Sequence, residues 1–182
     1  MSRRVNSLVA PAIVVAAALF VSQAAFQLAH TPSGETTLEG TLEHLNIISL
    51  VVNLLVLMPV TVAIGRLAQS PRATRVAVTG MAALAAVCAT SAINSGDLSF
   101  FPAVAIPANL MWFGGWIALG VGLFRGGVVE RRYAIALPLV WVALLPFSQV
   151  GGAIVAAVLL VVVTRRLGLL GRPGRAPVPA TA

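Results

Sequence analysis

Two histidines, His30 and His44, and the acid beside the second, Glu43, are the side chains of this sequence best suited to chemistry. His30 closes the first apolar block and His44 opens the second, so both are expected at one level of the chain. Together with Glu43 they offer the imidazole and carboxylate donors that bind Zn²⁺, Cu²⁺ or, through two axial imidazoles, a haem. The spacing argues weakly for a site. Neighbours on a helix point about 100° apart, so Glu43 and His44 do not naturally converge on one ion, and a histidine at a water boundary needs no ligand. No cofactor is expected, and His30 and His44 stand only as weak metal candidates.

Amides form a second set. Gln23, Gln27 and His30 follow i, i+4, i+7 spacing, which makes one stripe on a helix. Glu43, Asn46 and Asn53 fall within about 80° of one another on a helical wheel, and Asn109, Trp112 and Trp116 share a face of another helix. Amides inside apolar segments commonly act as hydrogen-bonding glue between helices. Gathered in one half of a bundle, they would instead edge an outward-facing polar cavity. There Gln27, His30, Glu43, Asn46, Asn53, Asn109 and Trp112 would bind a small polar or amphipathic ligand, the amides bonding it and the tryptophans stacking on it.

Enzyme chemistry has a thinner basis. The sequence contains no HExxH, GxSxG, Walker loop, GxGxxG or paired Asp-rich diphosphate motif, so no catalytic residue is assigned and the reading leans away from an enzyme. The alternative is a membrane-embedded enzyme acting on a lipid-like substrate at the outer leaflet, with Glu43 or Asp97 as acid or base.

Apolar segments must position these residues. The chain has 182 residues, 59% hydrophobic and 9% charged, against roughly 25% charged in an ordinary soluble domain. That composition predicts an all-α polytopic membrane protein and leaves no room for a separate aqueous domain. All 12 basic residues are arginine, which removes Schiff-base chemistry on lysine and with it the rhodopsins. No basic run is interleaved with aromatics, so nucleic acid is not an expected partner. The single cysteine, Cys88, allows no internal disulfide and reads as a packing residue.

Six transmembrane helices are predicted, over 5–28, 45–64, 76–93, 101–124, 133–147 and 150–164, forming one domain over 1–168. The first block is long for a signal-peptide core, and a retained helix fits better. Thr41 is expected to cap the second helix and Pro59 to kink it, and 94–97 reads as a turn. The stretch 133–164 is too long for one comfortable span. A single crossing would place Arg165, Arg166, Arg172 and Arg175 opposite the other arginines, against the positive-inside rule. Two short spans, or a re-entrant hairpin, restore the parity; two short spans are favoured.

The resulting map puts both termini, all the arginines and Glu130 in the cytoplasm and leaves Glu35, Glu39, Glu43 and Asp97 outside, in a multi-pass protein of the cell membrane. Residues 169–182 are expected to form a disordered cytoplasmic tail. Gly114, Ala118 and Gly122 recur every four residues on the fourth helix and predict a packing ridge. In size and span count the chain resembles the small substrate-capturing membrane subunits of energy-coupling-factor transporters, an architectural likeness that carries no residue with it. The sequence therefore predicts an accessory or small-molecule binding or transport subunit in the lipid bilayer, with a membrane-protein partner or a second copy of itself as expected company.

Overall fold

A computed structural model of the chain describes residues 2–29, 40–145, 147 and 150–170. Six helices follow one another: α1 (Ser2–Ala29), α2 (Thr41–Leu67), α3 (Pro71–Asn94), α4 (Phe101–Arg125), α5 (Arg131–Leu144) and α6 (Gly152–Arg166). Four segments, Leu8–Leu28, Thr41–Leu67, Pro71–Asn94 and Phe101–Arg125, are long and apolar enough to cross a membrane. The last two helices have 14 and 15 residues, or about 21 and 22 Å at 1.5 Å per residue. Both are short of a hydrocarbon core of about 30 Å. The helix count meets the expectation, with four long members and a short final pair.

Each helix packs on its neighbours in the chain, and α6 closes the ring against α1. Consecutive helices run antiparallel. Gly120 of α4 lies against Ala134 of α5, while Phe113, farther back on α4, stacks on Trp141, farther along α5. Arg66, Arg72, Arg75, Arg125, Arg131, Arg132, Arg165 and Arg166 consequently gather at one end of the bundle. Glu43, His44 and Asp97 lie at the other, where the His44 ring meets Ser95 across the α2–α3 pair. The bundle thus has an arginine end and an acid end.

Buried positions on α1 (Val9, Ile13, Ala16, Phe20 and Gln23, with Ala24 beside it) alternate four and three residues apart and make one inward seam. The outer surface is equally apolar: Leu8, Val14, Leu110, Ile106 and Ile154 all point away from the bundle. In water such a surface would be a large adhesive patch.

Helix ends depart from expectation in instructive ways. Gly40, not Thr41, takes the N-cap position of α2, and the Glu43 carboxylate accepts a bond from the Gly40 N–H at 3.4 Å, so the helix starts one turn early. Pro71 opens α3 at its first turn, which draws Arg72 and Arg75 into the helix instead of a loop. Pro59 lies inside α2 without ending it. At the C-termini of α2 and α3, Gln69 (φ 50°) and Ser95 (φ 54°) adopt the left-handed conformation usual for glycine. The bonds Ser70 N–H to Gly65 O and Gly96 N–H to Ser91 O complete Schellman closures there.

The packing face of α4 departs from the predicted ridge at two of its three members; Gly122 does pack, since a Cβ there would lie 3.1 Å from the Ala68 carbonyl oxygen. Gly114 and Ala118 face outward, and a Cβ on Gly114 would meet nothing within 4 Å. Gly80 and Gly115 make the close approach instead: a Cβ on Gly80 would lie 2.5 Å from the Ala108 carbonyl oxygen, and one on Gly115 2.7 Å from the Ala77 nitrogen. Burial of the two tryptophans on α4 decides this rotation, since Trp112 and Trp116 turn inward and carry the neighbouring Gly115 with them.

Candidate functional site

The centre of the bundle is organised around Trp116. Its indole N–H donates to Thr61 Oγ1 at 3.2 Å, linking α4 to α2 across the ring, and the Thr61 hydroxyl in turn donates to Met81 Sδ of α3 at 3.7 Å. Trp112, one turn earlier, packs edge-to-face on Trp116 with centroids 5.7 Å apart. Phe113 stacks on Trp141 of α5 at 4.6 Å. Aromatic rings thus fill the middle, and the interior toward the arginine end continues as apolar Leu119, Leu123 and Ile64.

Toward the acid end the interior changes character. Counting about two turns back from the Thr61–Trp116 bond along both helices, which run parallel, reaches Asn53 on α2 and Asn109 on α4 at nearly one level. Asn53 is wholly buried, and neither its amide oxygen nor its amide nitrogen has a hydrogen-bond partner among the described residues. Asn109 donates its amide N–H to the Ala105 carbonyl at 2.9 Å, which leaves its buried oxygen unpartnered. The Trp112 indole N–H is likewise buried without a partner. Farther along α2, Ser49 Oγ and Asn46 Oδ1 continue the same stripe, and Gln23 Oε1 and Gln27 Oε1 contribute from α1.

Unpartnered buried polar atoms are uncommon because each sacrifices its bonds to water, an effect of about 1–3 kcal/mol per group. Here α1, α2 and α4 contribute all of them but the α5 indole of Trp141, at positions between mid-bundle and the acid end. Most are amide oxygens; the donors are the Asn53 amide, the Ser49 hydroxyl and the Trp112 indole.

The other anticipated residues have local roles. Glu43 is half-buried and serves the start of α2. His44 has both ring nitrogens engaged. Nδ1 lies 3.1 Å from the Gly40 carbonyl oxygen, which only accepts, so Nδ1 carries the proton. Nε2 lies 3.3 Å from Ser95 Oγ and ties α2 to the end of α3. Asp97 accepts the Ser91 hydroxyl at 2.7 Å in the α3–α4 turn. Among the described residues no group of three His, Cys, Asp or Glu side chains is placed to hold a metal ion. His30 lies outside the described residues, as do Glu35, Glu39, Gln149 and the tail from 171.

Gln27, Asn46, Asn53, Asn109 and Trp112 therefore share one property, a buried polar atom without a partner, and the structure adds Gln23 and Ser49 to them. Ser49 was legible as the member of the 46, 49, 53 series that completes the three-four spacing. Thr61, two turns beyond Asn53, had no such signal, because its role depends on a tryptophan fifty-five residues away.

Among the described residues the fold defines a class: a helical bundle with four helices long and apolar enough to cross a membrane and amides buried among them. No protein-family model matches the chain, and neither curated proteins nor solved structures match it.

Proposed function

We propose that this chain is an integral membrane protein with its arginine end in the cytoplasm, and that the acid-end half of its bundle receives a small neutral polar ligand from outside. It would act as a binding or transport subunit, or as an accessory to one. Asn53 carries the reading: a wholly buried amide with neither end bonded to protein is a poor structural element and a good ligand contact.

The seam's chemistry describes the ligand. Amide oxygens on Gln23, Gln27, Asn46 and Asn109 accept, so the ligand is rich in O–H or N–H donors. The Trp112 N–H and the Asn53 amide bond an acceptor on the same molecule. Amides, a hydroxyl and an indole supply these contacts without formal charge, which favours a neutral solute over an ion. Trp112 offers its N–H and not a free stacking face, because its ring is wholly buried and packs edge-to-face with Trp116.

The test is purification of the full chain from native membranes, identification of released small molecules by mass spectrometry, and thermal unfolding with those molecules added back. A ligand is expected to raise the midpoint of the wild type and to have little effect on Asn53→Leu or Asn109→Leu. A polar seam that serves only as helix glue would show the reverse: no associated solute, and clear destabilisation by Asn53→Leu.

A further inference from the structure

A groove lies at the opposite end, outside the ring, between α4 and α5. It is open, with a volume of about 260 Å³, and is lined by Ile117, Gly120, Val121, Phe124, Ala134, Ile135 and Pro138, with Arg131 as its single charged residue. Its shape follows from the helix contact. Gly120 lets α4 come against the α5 backbone, since a Cβ there would lie 2.5 Å from the Ala134 carbonyl oxygen. The side chains on either side, Val121 and Ile135, are left as walls, 42% and 48% exposed. From Phe124 and Arg131 at the rim to Ile117 and Pro138 at the deep end, the groove follows about two turns of helix, or about 10 Å toward mid-bundle.

Charge marks the rim. Glu130, the acid nearest in sequence, pairs with Arg132 at 2.8 Å, and Arg131 has no carboxylate partner among the described residues. Arg132 and Arg166 both lie over the Tyr133 ring, at 4.9 and 5.1 Å from its centroid, so they are oriented by the aromatic face while Arg131 stays available beside the groove. Arg125 ends α4 at the same rim.

We propose that this groove binds one anionic phospholipid, with a stretch of acyl chain along Ile117, Val121, Ile135 and Pro138 and the headgroup phosphate on Arg131. An apolar channel that opens at one cationic end matches the two-part chemistry of such a lipid. A free phosphate would use the charge and leave the channel empty, and a zwitterionic lipid would fill the channel with weaker attraction at the rim. The proposal is independent of the seam at the acid end.

Native mass spectrometry of the full chain in a nonionic detergent, with phosphatidylglycerol, phosphatidylcholine or inorganic phosphate added, tests it. One retained phosphatidylglycerol per chain is expected, bound more tightly than phosphatidylcholine. Arg131→Gln should weaken retention about fivefold, the effect of one arginine near a lipid surface. Val121→Trp, which fills the channel from an exposed wall, should abolish it while leaving the melting midpoint of the lipid-free chain unchanged. Equal retention of both lipids, protection by inorganic phosphate as strong as by the lipid, indifference to Val121→Trp, or a second copy of the chain in place of lipid would each overturn the assignment.

Discussion

Asn53 and Trp116 show the two ways a polar side chain lives inside an apolar bundle. Trp116 is satisfied: its N–H reaches Thr61 and helps to hold α4 over α2. Coupling between Trp116→Phe and Thr61→Val in a double-mutant cycle is expected at about 0.5–1.5 kcal/mol, the net worth of a neutral hydrogen bond, measured by unfolding in detergent. Asn53 is unsatisfied at both amide atoms. Leucine of similar size removes that desolvation, so Asn53→Leu should stabilise the ligand-free protein by about 1 kcal/mol while weakening ligand capture. A gain in stability paired with a loss of binding is the signature of a residue retained for function. Loss of both would assign Asn53 to interhelical packing.

Helix-scale packing is set by the glycines that touch something. Gly80 and Gly115 bring α3 and α4 into backbone contact, so Gly80→Ala must force the helices apart and is expected to destabilise by about 1–3 kcal/mol. Gly114 is the internal control. Its Cβ would meet nothing within 4 Å, so Gly114→Ala should be neutral or stabilising by up to about 1 kcal/mol through helix propensity alone. Comparable losses for both variants would mean that α4 is rotated from the orientation described. The glycine spacing in the sequence favoured the Gly114, Ala118, Gly122 ridge, and spacing alone has no means of choosing between adjacent faces. Two tryptophans seeking the interior made the choice.

Across the whole molecule, the antiparallel ring gathers the described arginines of α2–α6 at one end, and the proposed membrane orientation rests on that placement. The sole cysteine, Cys88, is buried, which leaves a clean background for introduced thiols. Ser99→Cys, in the exposed α3–α4 turn, is expected to react with a membrane-impermeant maleimide in intact cells. Val128→Cys, in the α4–α5 turn at the arginine end, should react only after permeabilisation. The reverse pattern would turn the seam toward the cytoplasm and remove the proposed outside entry. The short pair α5 and α6 returns the chain to the arginine end of the bundle.

The amino-acid order determined the helix number, the alternation of direction and the separation of the arginines, with Glu130 among them, from Glu43 and Asp97, because apolar length and flanking charge are local quantities summed along a chain. It also placed Asn46, Asn53, Asn109 and Trp112 on inward stripes, since helical periodicity is enough to say which residues share a face. Only the tertiary structure decided which of those polar atoms found partners. Satisfaction depends on what arrives from another helix: Thr61 meets Trp116 because α2 and α4 approach across the ring, whereas no described hydrogen-bonding group reaches the Asn53 amide. The lipid groove likewise exists only where Gly120 meets the Ala134 backbone, a coincidence of two helices that neither one's sequence contains.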